Sequence, residues 1–556
     1  MADLKIVIVG GVAGGASAAA KARRVNEAAV ITVYERGQYV SFANCGLPYY
    51  VGGTIDDRDE LLLQTPEKFW KRFRVAVKVR HEVLSIFPDT RSITVKNLES
   101  GALFNVPYDK LILAPGAGAV VPDIPGIDAK NVFTVKTVPD SEAIKQFLAD
   151  HHSKAAIVVG GGFIGLETAE ALMNLGLKVT LVELTPQVLP AFDQDMAALM
   201  AQHLQEKGME LILGDGVENV HTNGGLAHEI ELSSHTRLPC DVVILCIGVR
   251  PELKLAKDAG LRIGQSGGIK VDECQLTSNP HIYAAGDAVE IMHLVTGKSS
   301  RIPLAGPANK QGRVAGANAA GGSLKFPGAI GTAIVESLGM VAAKTGLSER
   351  EAQVHGFDYF VSVTHPFDHA DYYPGAEALH MKLVVEKLTG RLLGAQIIGE
   401  QGVDKRIDVL ATAIAAKMNV EDLENLDLAY APQFNSAKGP VIMAGFVAAN
   451  ILRGNVKIIT GDELEKKLQS ETPLQLLDVR TSNEYHEIHI PQATLIPVDE
   501  LREHLGELDP TKETVVYCRV GFRGYLACRI LLQHGFQNVF NLTGGILNFH
   551  QNEDRM

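Results

Sequence analysis

KIVIVGGVAGGASAAAKARR, residues 5–24, decides the fold. Its branched apolar run reads as a buried β-strand, Gly10–Gly15 as a tight turn, and the alanine-rich tail as a helix. The same device returns as AIVVGGGFIGLETAEALMNLG, residues 156–176. Glycines let a backbone approach phosphate closely, and the helix that follows offers unpaired N–H groups and a partial positive charge. Each copy ends its second strand on an acid, Glu35 in ITVYE and Glu183 in VTLVE. An acid there accepts hydrogen bonds from ribose hydroxyls and repels a 2′-phosphate. Gly10, Gly15 and Glu35 in the first copy, and Gly160, Gly162, Gly165 and Glu183 in the second, are therefore candidate dinucleotide-binding residues. Glu183 leans toward NADH over NADPH. Val12 stands where the first copy's middle glycine is expected, so the second copy strengthens the reading.

The chain has 556 residues and a formal net charge of −13. That length predicts several domains, and the negative charge opposes nucleic-acid binding. No run of apolar residues reaches membrane-spanning length, and Gly10, Gly11, Gly14 and Gly15 interrupt the only signal-like stretch. Six cysteines in a chain this long oppose a disulfide-stapled secreted protein and predict a cytoplasmic one. There is no CxxC pair, so a redox cysteine must act singly or with an external thiol.

A third segment, TSNPHIYAAGDAVE (277–290), sets a strand before Gly286 and Asp287. With it the chain resembles the FAD-dependent pyridine nucleotide–disulfide reductases. The resemblance implies FAD on the first fold, NADH (or NADPH) on the second, and Asp287 against the flavin's ribityl–diphosphate region. After Glu35 comes SFANCGLPY (41–49), where the better-known reductases carry a cysteine pair and this chain has only Cys45. Turn residues Asn44, Gly46 and Pro48 surround it, unlike the periodic apolar context expected of core thiols, the reading given to Cys240, Cys246, Cys274 and Cys528. SFANCGLPY is similar to the single-cysteine branch, coenzyme A disulfide reductase and its relatives. That likeness implies a Cys45 thiolate against the flavin forming a mixed disulfide with coenzyme A. A helix N-terminus nearby is expected to depress its pKa.

The likeness continues through PLAGPANKQGR (303–313), whose helix approaches the flavin in the family and includes Ala305, and through HADYYP (369–374), DKRID (404–408) and LAYAPQFNSAK (428–438). The last three match a dimerisation domain, implying a homodimer in which Tyr372 and Tyr430 reach the partner's active site, with Lys438 beside the cofactors. Lys21 and Arg24, with Ser17, Ser41 and Asn44, are expected to meet coenzyme A phosphates. Gln433 and Phe434 depart from the family pattern.

From about Lys457 strands and helices alternate again, and Cys518 ends a strand before the loop Cys518-Arg-Val-Gly-Phe-Arg523. Loop amides there can form an anion nest, aided by Arg519 and Arg523. Asp478–Arg480, His489–Pro491 and the CxxGxR loop resemble a rhodanese domain, with Cys518 as sulfur-carrying thiol and Arg523 beside it. Only a short link near Arg453–Ile459 joins it to the preceding domain, which predicts a docked module with small persulfides ferrying sulfur between Cys518 and Cys45.

The expected architecture is α/β, with two Rossmann-like folds, an α+β dimerisation domain and a rhodanese-like domain. The expected boundaries are 1–118 and 246–325 for the FAD domain, 119–245 for the NAD(H) domain, 326–452 for dimerisation and 453–556 for rhodanese. The expected activity is NAD(P)H-dependent reduction of small-molecule persulfides, polysulfides or coenzyme A disulfide. Rivals are a single-cysteine NADH oxidase or peroxidase and a sulfur-relay or sensing protein. His365 and His369 have i,i+4 spacing, but Pro366 and Pro374 oppose a helix presenting both, so no metal site is expected. Trp70 in KFWKRF is expected to pack an amphipathic stretch.

Overall fold

The computed structural model describes residues 3–470 and 473–550. The chain divides into two compact units, Met1–Pro186 with Met209–Gly331, and Gln187–Gly208 with Thr332–Met556.

The first unit holds two parallel five-stranded sheets of like topology. In one, strand Lys5–Val9 lies between Val30–Tyr34 and Lys110–Leu113, with Val75–Lys78 and Ile282–Ala284 outermost. In the other, Ala155–Val159 lies between Lys178–Glu183 and Val242–Leu245, flanked by Glu210–Leu213 and Val132–Thr134. Both central strands are buried along almost their whole length, as strands covered on two faces must be, which explains their unbroken apolar sequence. Each sheet reverses strand order beside its glycine turn, and the crevice at such a reversal is where this architecture binds ligands. Helix Ala13–Val25 packs so closely on helix Ala305–Ala319 that a Cβ at Gly312 would overlap the Gly14 carbonyl.

The second unit carries an antiparallel sheet ordered Ala333–Ser337, Met340–Gly346, Leu392–Gly399, His380–Glu386, Tyr359–Thr364. Helix Gln194–Glu206 is tied to this sheet by charge. Buried Lys382 meets Asp193 at 3.4 Å, Asp195 at 3.0 Å and Glu349 at 2.8 Å. Burial works against its ammonium, but the three carboxylates outweigh it and raise the Lys382 pKa. The same unit contains a parallel sheet ordered Lys457–Ile459, Val539–Leu542, Glu513–Tyr517, Leu474–Asp478, Thr494–Leu495.

The expectation for Trp70 is corrected. In helix Pro66–Phe73 the buried residue is Phe69, while Trp70 is 53% exposed with the Arg74 guanidinium over its ring. Cys246 and Cys274 are each partly exposed, whereas Cys240 and Cys528 are the buried core thiols expected. All six cysteines are free. Among the described residues no helix is long and apolar enough to cross a membrane.

Candidate active site

Cys45 sits in the 3₁₀ turn Asn44–Gly46, which runs directly into helix Leu47–Val51. The first glycine turn reaches it through two bonds. Gly11 N–H donates to Glu35 Oε2 at 2.8 Å, and Ser41 N–H donates to the Gly11 carbonyl at 2.9 Å. Ser41 holds φ +48°, a left-handed conformation that a serine adopts only when its surroundings impose it. Ser17 Oγ bonds Asn309 Oδ1 at 2.6 Å on the helix that begins at Ala305, and Gly286 N–H donates to Gln311 on that helix at 2.7 Å. Gly10, Gly15, Ser17, Glu35, Ser41, Asn44, Cys45, Asp287 and Ala305 are thereby gathered at one end of the first sheet. Lys21 is half-buried on the helix after the turn. Arg24 is exposed and folds back onto the Ala20 carbonyl at 3.0 Å.

The protein around Cys45 does not depress its pKa, contrary to expectation. Although the sulfur is exposed, partial desolvation by the surrounding protein raises it, the Glu167 and Asp287 carboxylates raise it further, and Lys136 opposes them. The helix that follows spans five residues, too few to build a full dipole. Sequence reasoning missed two neighbours, Glu167 and Lys136. Glu167 lies on the helix of the second glycine turn, with its own pKa raised by burial, and accepts a hydrogen bond from Tyr49 Oη at 3.1 Å. Lys136 is held beside Cys45 by its backbone, whose carbonyl accepts Asn44 Nδ2 at 3.4 Å. Only Glu167 left a trace in the sequence, as an acid in the second motif's helix.

At the second turn Gly161 N–H donates to Glu183 Oε2 at 2.6 Å, and Thr185 gives its N–H and hydroxyl to Oε1 at 2.8 and 2.9 Å. A Cβ on Gly162 would meet nothing within 4 Å, so open space lies before the helix N-terminus. Gly165 and Gly15 have matching roles, since a Cβ on either would overlap the carbonyl oxygen of Gly160 or Gly10. Both turns fit a dinucleotide by this cradle. Each pairs a glycine-only approach with a carboxylate already oriented by backbone N–H groups.

In the second unit Tyr372 and Tyr430 meet hydroxyl to hydroxyl at 3.0 Å, yet Tyr372 is 71% exposed, and Phe434 is 65% exposed. A cleft of about 470 Å³ beside them is lined by Tyr430, Phe434, Lys405, Arg406 and Asp404. Lys438 is exposed on the same segment.

Cys518 is buried at the end of strand Glu513–Tyr517, and Gly521 N–H donates to its sulfur at 3.1 Å. Arg523 faces both that sulfur and Glu484, whose carboxylate it grips with bonds of 2.7 and 2.6 Å. Arg523 holds the Glu484 pKa down to about 2. Glu484 was not singled out from the sequence. Asp478 and Arg480 form a buried pair, and Arg480 stacks over Tyr517 at 5.5 Å, so they brace the strand ends beneath the loop. His486 and His489 are exposed. Among the described residues no group of three or more His, Cys, Asp or Glu side chains is arranged to hold a metal.

Residues 4–312 match the family described as pyridine nucleotide-disulphide oxidoreductase, 337–440 match that family's dimerisation domain, and 460–552 match the rhodanese-like domain. Among solved structures, reduced CoADR-RHD of Bacillus anthracis is 43% identical with TM-score 0.97, over 100% of this chain and 99% of that one. An NAD-dependent persulfide reductase from A. fulgidus is 39% identical with TM-score 0.91, over 98% of this chain and 100% of that one. The coenzyme A disulfide reductase of Staphylococcus haemolyticus is 34% identical over 448 residues, 80% of this chain and 100% of that protein.

Proposed function

The chain belongs to the pyridine nucleotide-disulphide oxidoreductase family, and from that premise we propose that it reduces small persulfides or coenzyme A disulfide with NAD(P)H through Cys45 alone. It is an FAD- and NAD(P)H-dependent oxidoreductase carrying a rhodanese-like domain. The observation that carries the reading is a single exposed thiol beside the first glycine turn with no second cysteine to close on it. Gly10, Gly15, Glu35, Asp287 and Ala305 would hold FAD, and Gly160, Gly162, Gly165 and Glu183 would hold NADH. Bound FAD supplies a two-electron path from nicotinamide to sulfur.

The thiolate of Cys45 attacks the inner sulfur of a persulfide RS–SH, forming Cys45–S–S–R and expelling hydrosulfide. Two electrons from NADH and one proton then return the Cys45 thiolate and free RSH. Glu167, its pKa raised and its carboxyl bonded to Tyr49, is placed to carry that proton. Lys136 offsets the negative charge on sulfur. With coenzyme A disulfide the same two steps release two coenzyme A thiols. Lys21, Arg24, Ser17, Ser41 and Asn44 would meet the coenzyme A phosphates. At Cys518, attack of the thiolate on a donor's outer sulfur breaks the donor's S–S bond, expels the remainder as a thiolate or sulfite, and gives a persulfide held by the loop N–H groups and Arg523. Small persulfides would ferry sulfur between Cys518 and Cys45.

The exposed aromatics Tyr372, Tyr430 and Phe434 support a homodimer, with both tyrosines serving the second copy's site and Lys438 at its margin. Six free cysteines fit a reducing cytoplasm.

The test is Cys45→Ser. The variant should keep flavin reduction by NADH and lose persulfide turnover. Unchanged turnover, or wild-type NADH consumption with oxygen alone and no sulfur compound, refutes the reading. The Cys45 peptide isolated without reductant should carry the mass of an attached coenzyme A.

A further inference from the structure

The dimerisation and rhodanese-like parts of the second unit meet at the sulfur loop. Three of that loop's carbonyls are gripped by one segment. Asn541 Nδ2 donates to the Gly521 carbonyl at 3.1 Å, Ile546 N–H to the Cys518 carbonyl at 2.9 Å, and Leu547 N–H to the Arg519 carbonyl at 3.2 Å. In a trans peptide the carbonyl and the next N–H point in opposite directions. Holding the Cys518 and Arg519 carbonyls outward therefore turns the Arg519 and Val520 N–H groups inward, the same sense in which Gly521 N–H reaches Cys518 Sγ. Gly545 makes the grip close, since a Cβ there would stand 2.5 Å from both gripped carbonyl oxygens.

The gripping segment is itself held from the antiparallel sheet. Val363 N–H donates to Thr543 Oγ1 at 3.0 Å, and His365 Nε2 lies 3.1 Å from the Gly544 carbonyl. His365 Nδ1 is 2.8 Å from His380 Nδ1, with the rings edge to face at 4.8 Å. This geometry fixes the protons. A carbonyl only accepts, so His365 Nε2 carries hydrogen. Neutral His365 then accepts at Nδ1, and His380 donates from its own Nδ1. Burial pushes both histidines toward the neutral form, His365 to about 3 with His380 adding to the effect, and His380 to about 4.

We infer that the His365–His380 pair is a positioning element for the rhodanese-like site, fixing the Gly544–Leu547 turn so that the loop amides converge on Cys518. The inference rests on reading Cys518 as the sulfur-carrying thiol. It assigns the dimerisation sheet a second task, separate from its exposed tyrosines. It also implies that the rhodanese-like site works fully only when joined to that sheet.

The experiment uses the full-length flavoprotein with His365→Ala, His365→Gln and Thr543→Val. Glutamine keeps an N–H donor for the Gly544 carbonyl, whereas alanine does not. Two readouts are followed, sulfur transfer from thiosulfate to cyanide and the rate of Cys518 alkylation by iodoacetamide, read by peptide mass. His365→Ala should lower kcat for transfer about tenfold with the thiosulfate KM within about twofold, because the amides serve the developing sulfur anion rather than ground-state binding. Alkylation should slow about fivefold, since the sulfur attacks as an anion and the loop amides would no longer converge on it. His365→Gln should recover most of both, and Thr543→Val should show a smaller loss of the same kind. NADH reduction of the flavin should be unchanged throughout, which reports that the nucleotide-binding unit is intact, and a thermal melt matching wild type reports that the second unit folds. Wild-type kcat and alkylation in both His365→Ala and Thr543→Val overturn the inference, as does a glutamine variant no better than alanine. A wild-type chain inactive with thiosulfate would sink the sulfur-carrier reading instead, and the alkylation rates would still decide the positioning role.

Discussion

Gly165→Ala and Gly15→Ala place the same methyl group at equivalent points of the two glycine turns and should produce opposite losses. At Gly165 the new Cβ overlaps the Gly160 carbonyl oxygen and stands 3.5 Å from Cys246 Cβ. Gly160 cannot retreat. It holds φ +109°, its N–H is bonded to the Val182 carbonyl at 2.8 Å, and its Cα hydrogens face the Cys246 backbone. The helix Phe163–Asn174 must therefore shift outward, taking its N-terminal amides from the phosphate position. Overpacking of this kind costs about 1–3 kcal/mol. Expressed wholly in cofactor affinity, that is a rise of about 5- to 150-fold in the KM for NADH. Flavin content, read as the ratio of flavin to protein absorbance, should stay at the wild-type value because the Gly10–Gly15 turn is untouched. Gly15→Ala should reverse the pattern and yield a chain poor in flavin. Stopped-flow reduction by NADH without oxygen measures the first effect and absorbance the second. A Gly165→Ala protein that loses flavin yet keeps its NADH KM would falsify the assignment of the two folds.

Lys136→Met removes the cation that opposes Glu167 and Asp287 at Cys45. The pH midpoint of Cys45 alkylation should rise, and an unchanged or lower midpoint would show that Lys136 does not act on the sulfur. Glu484→Gln should cost about 1–2 kcal/mol after allowance for partial exposure of the pair, so cleavage of the rhodanese-like part by a protease should quicken about 5- to 30-fold at pH 7. Because its folded pKa is depressed to about 2, that stabilisation is complete above the ordinary carboxylate range and fades as pH falls toward 2. The difference between wild type and variant should vanish there. The neutral histidine pair works in the same direction at higher pH. Folded pKa values of about 3 and 4 lie below the free imidazole value of ~6.5, so stability is full above that value and is lost as pH falls through the window beneath it. At pH 5 each histidine gives up about 2 kcal/mol, so the protection of amides in segment 541–547, corrected for intrinsic exchange, should fall by roughly thirtyfold per histidine relative to pH 7. His365→Gln should remove the share due to His365, and an equal loss of protection in the variant would contradict it.

What the sequence made legible was whatever lies within one turn or one strand. The two glycine motifs, the lone Cys45 and the Cys518 loop all carry their geometry in a dozen neighbouring residues, where chain connectivity fixes who meets whom. The missed residues are those brought together by tertiary packing. Glu167 stands at Cys45 from a helix of the other nucleotide fold, Glu484 reaches Arg523 from a separate helix, and Lys382 gathers carboxylates from Asp193, Asp195 and Glu349. Thr481-Ser-Asn-Glu484 does show a capping box in the sequence, and the structure contains it. Nothing local says that the same carboxylate also holds the arginine of the sulfur loop. The Trp70 error has a simpler cause. Phe69 and Phe73 share a helical face with ring centroids 5.8 Å apart, whereas Trp70 is turned ~100° from that face, so the bulkiest residue of the run is not the one the core takes. His365 was weighed against the wrong histidine, because its partner, His380, lies across a strand pair rather than along a helix.

The two sulfurs are set for opposite tasks by the charges around them. At Cys45, partial desolvation, Glu167 and Asp287 all work against a thiolate, but none works against a neutral S–S bond. A thiol of raised pKa is the stronger nucleophile once ionised and the poorer leaving group once bonded. Exchange with an external disulfide or persulfide should therefore settle on the mixed disulfide, leaving Cys45 capped until electrons arrive from NADH. At Cys518 the surroundings are donors: the Gly521 amide, inward-turned loop amides and Arg523, with Glu484 already paired to that arginine. Such a site suits a sulfur that carries negative charge, a persulfide ready to give up its outer atom. On the proposed function Cys45 would keep its partner and Cys518 would pass its partner on, which is the division of labour expected when one chain joins a reductase to a sulfur carrier.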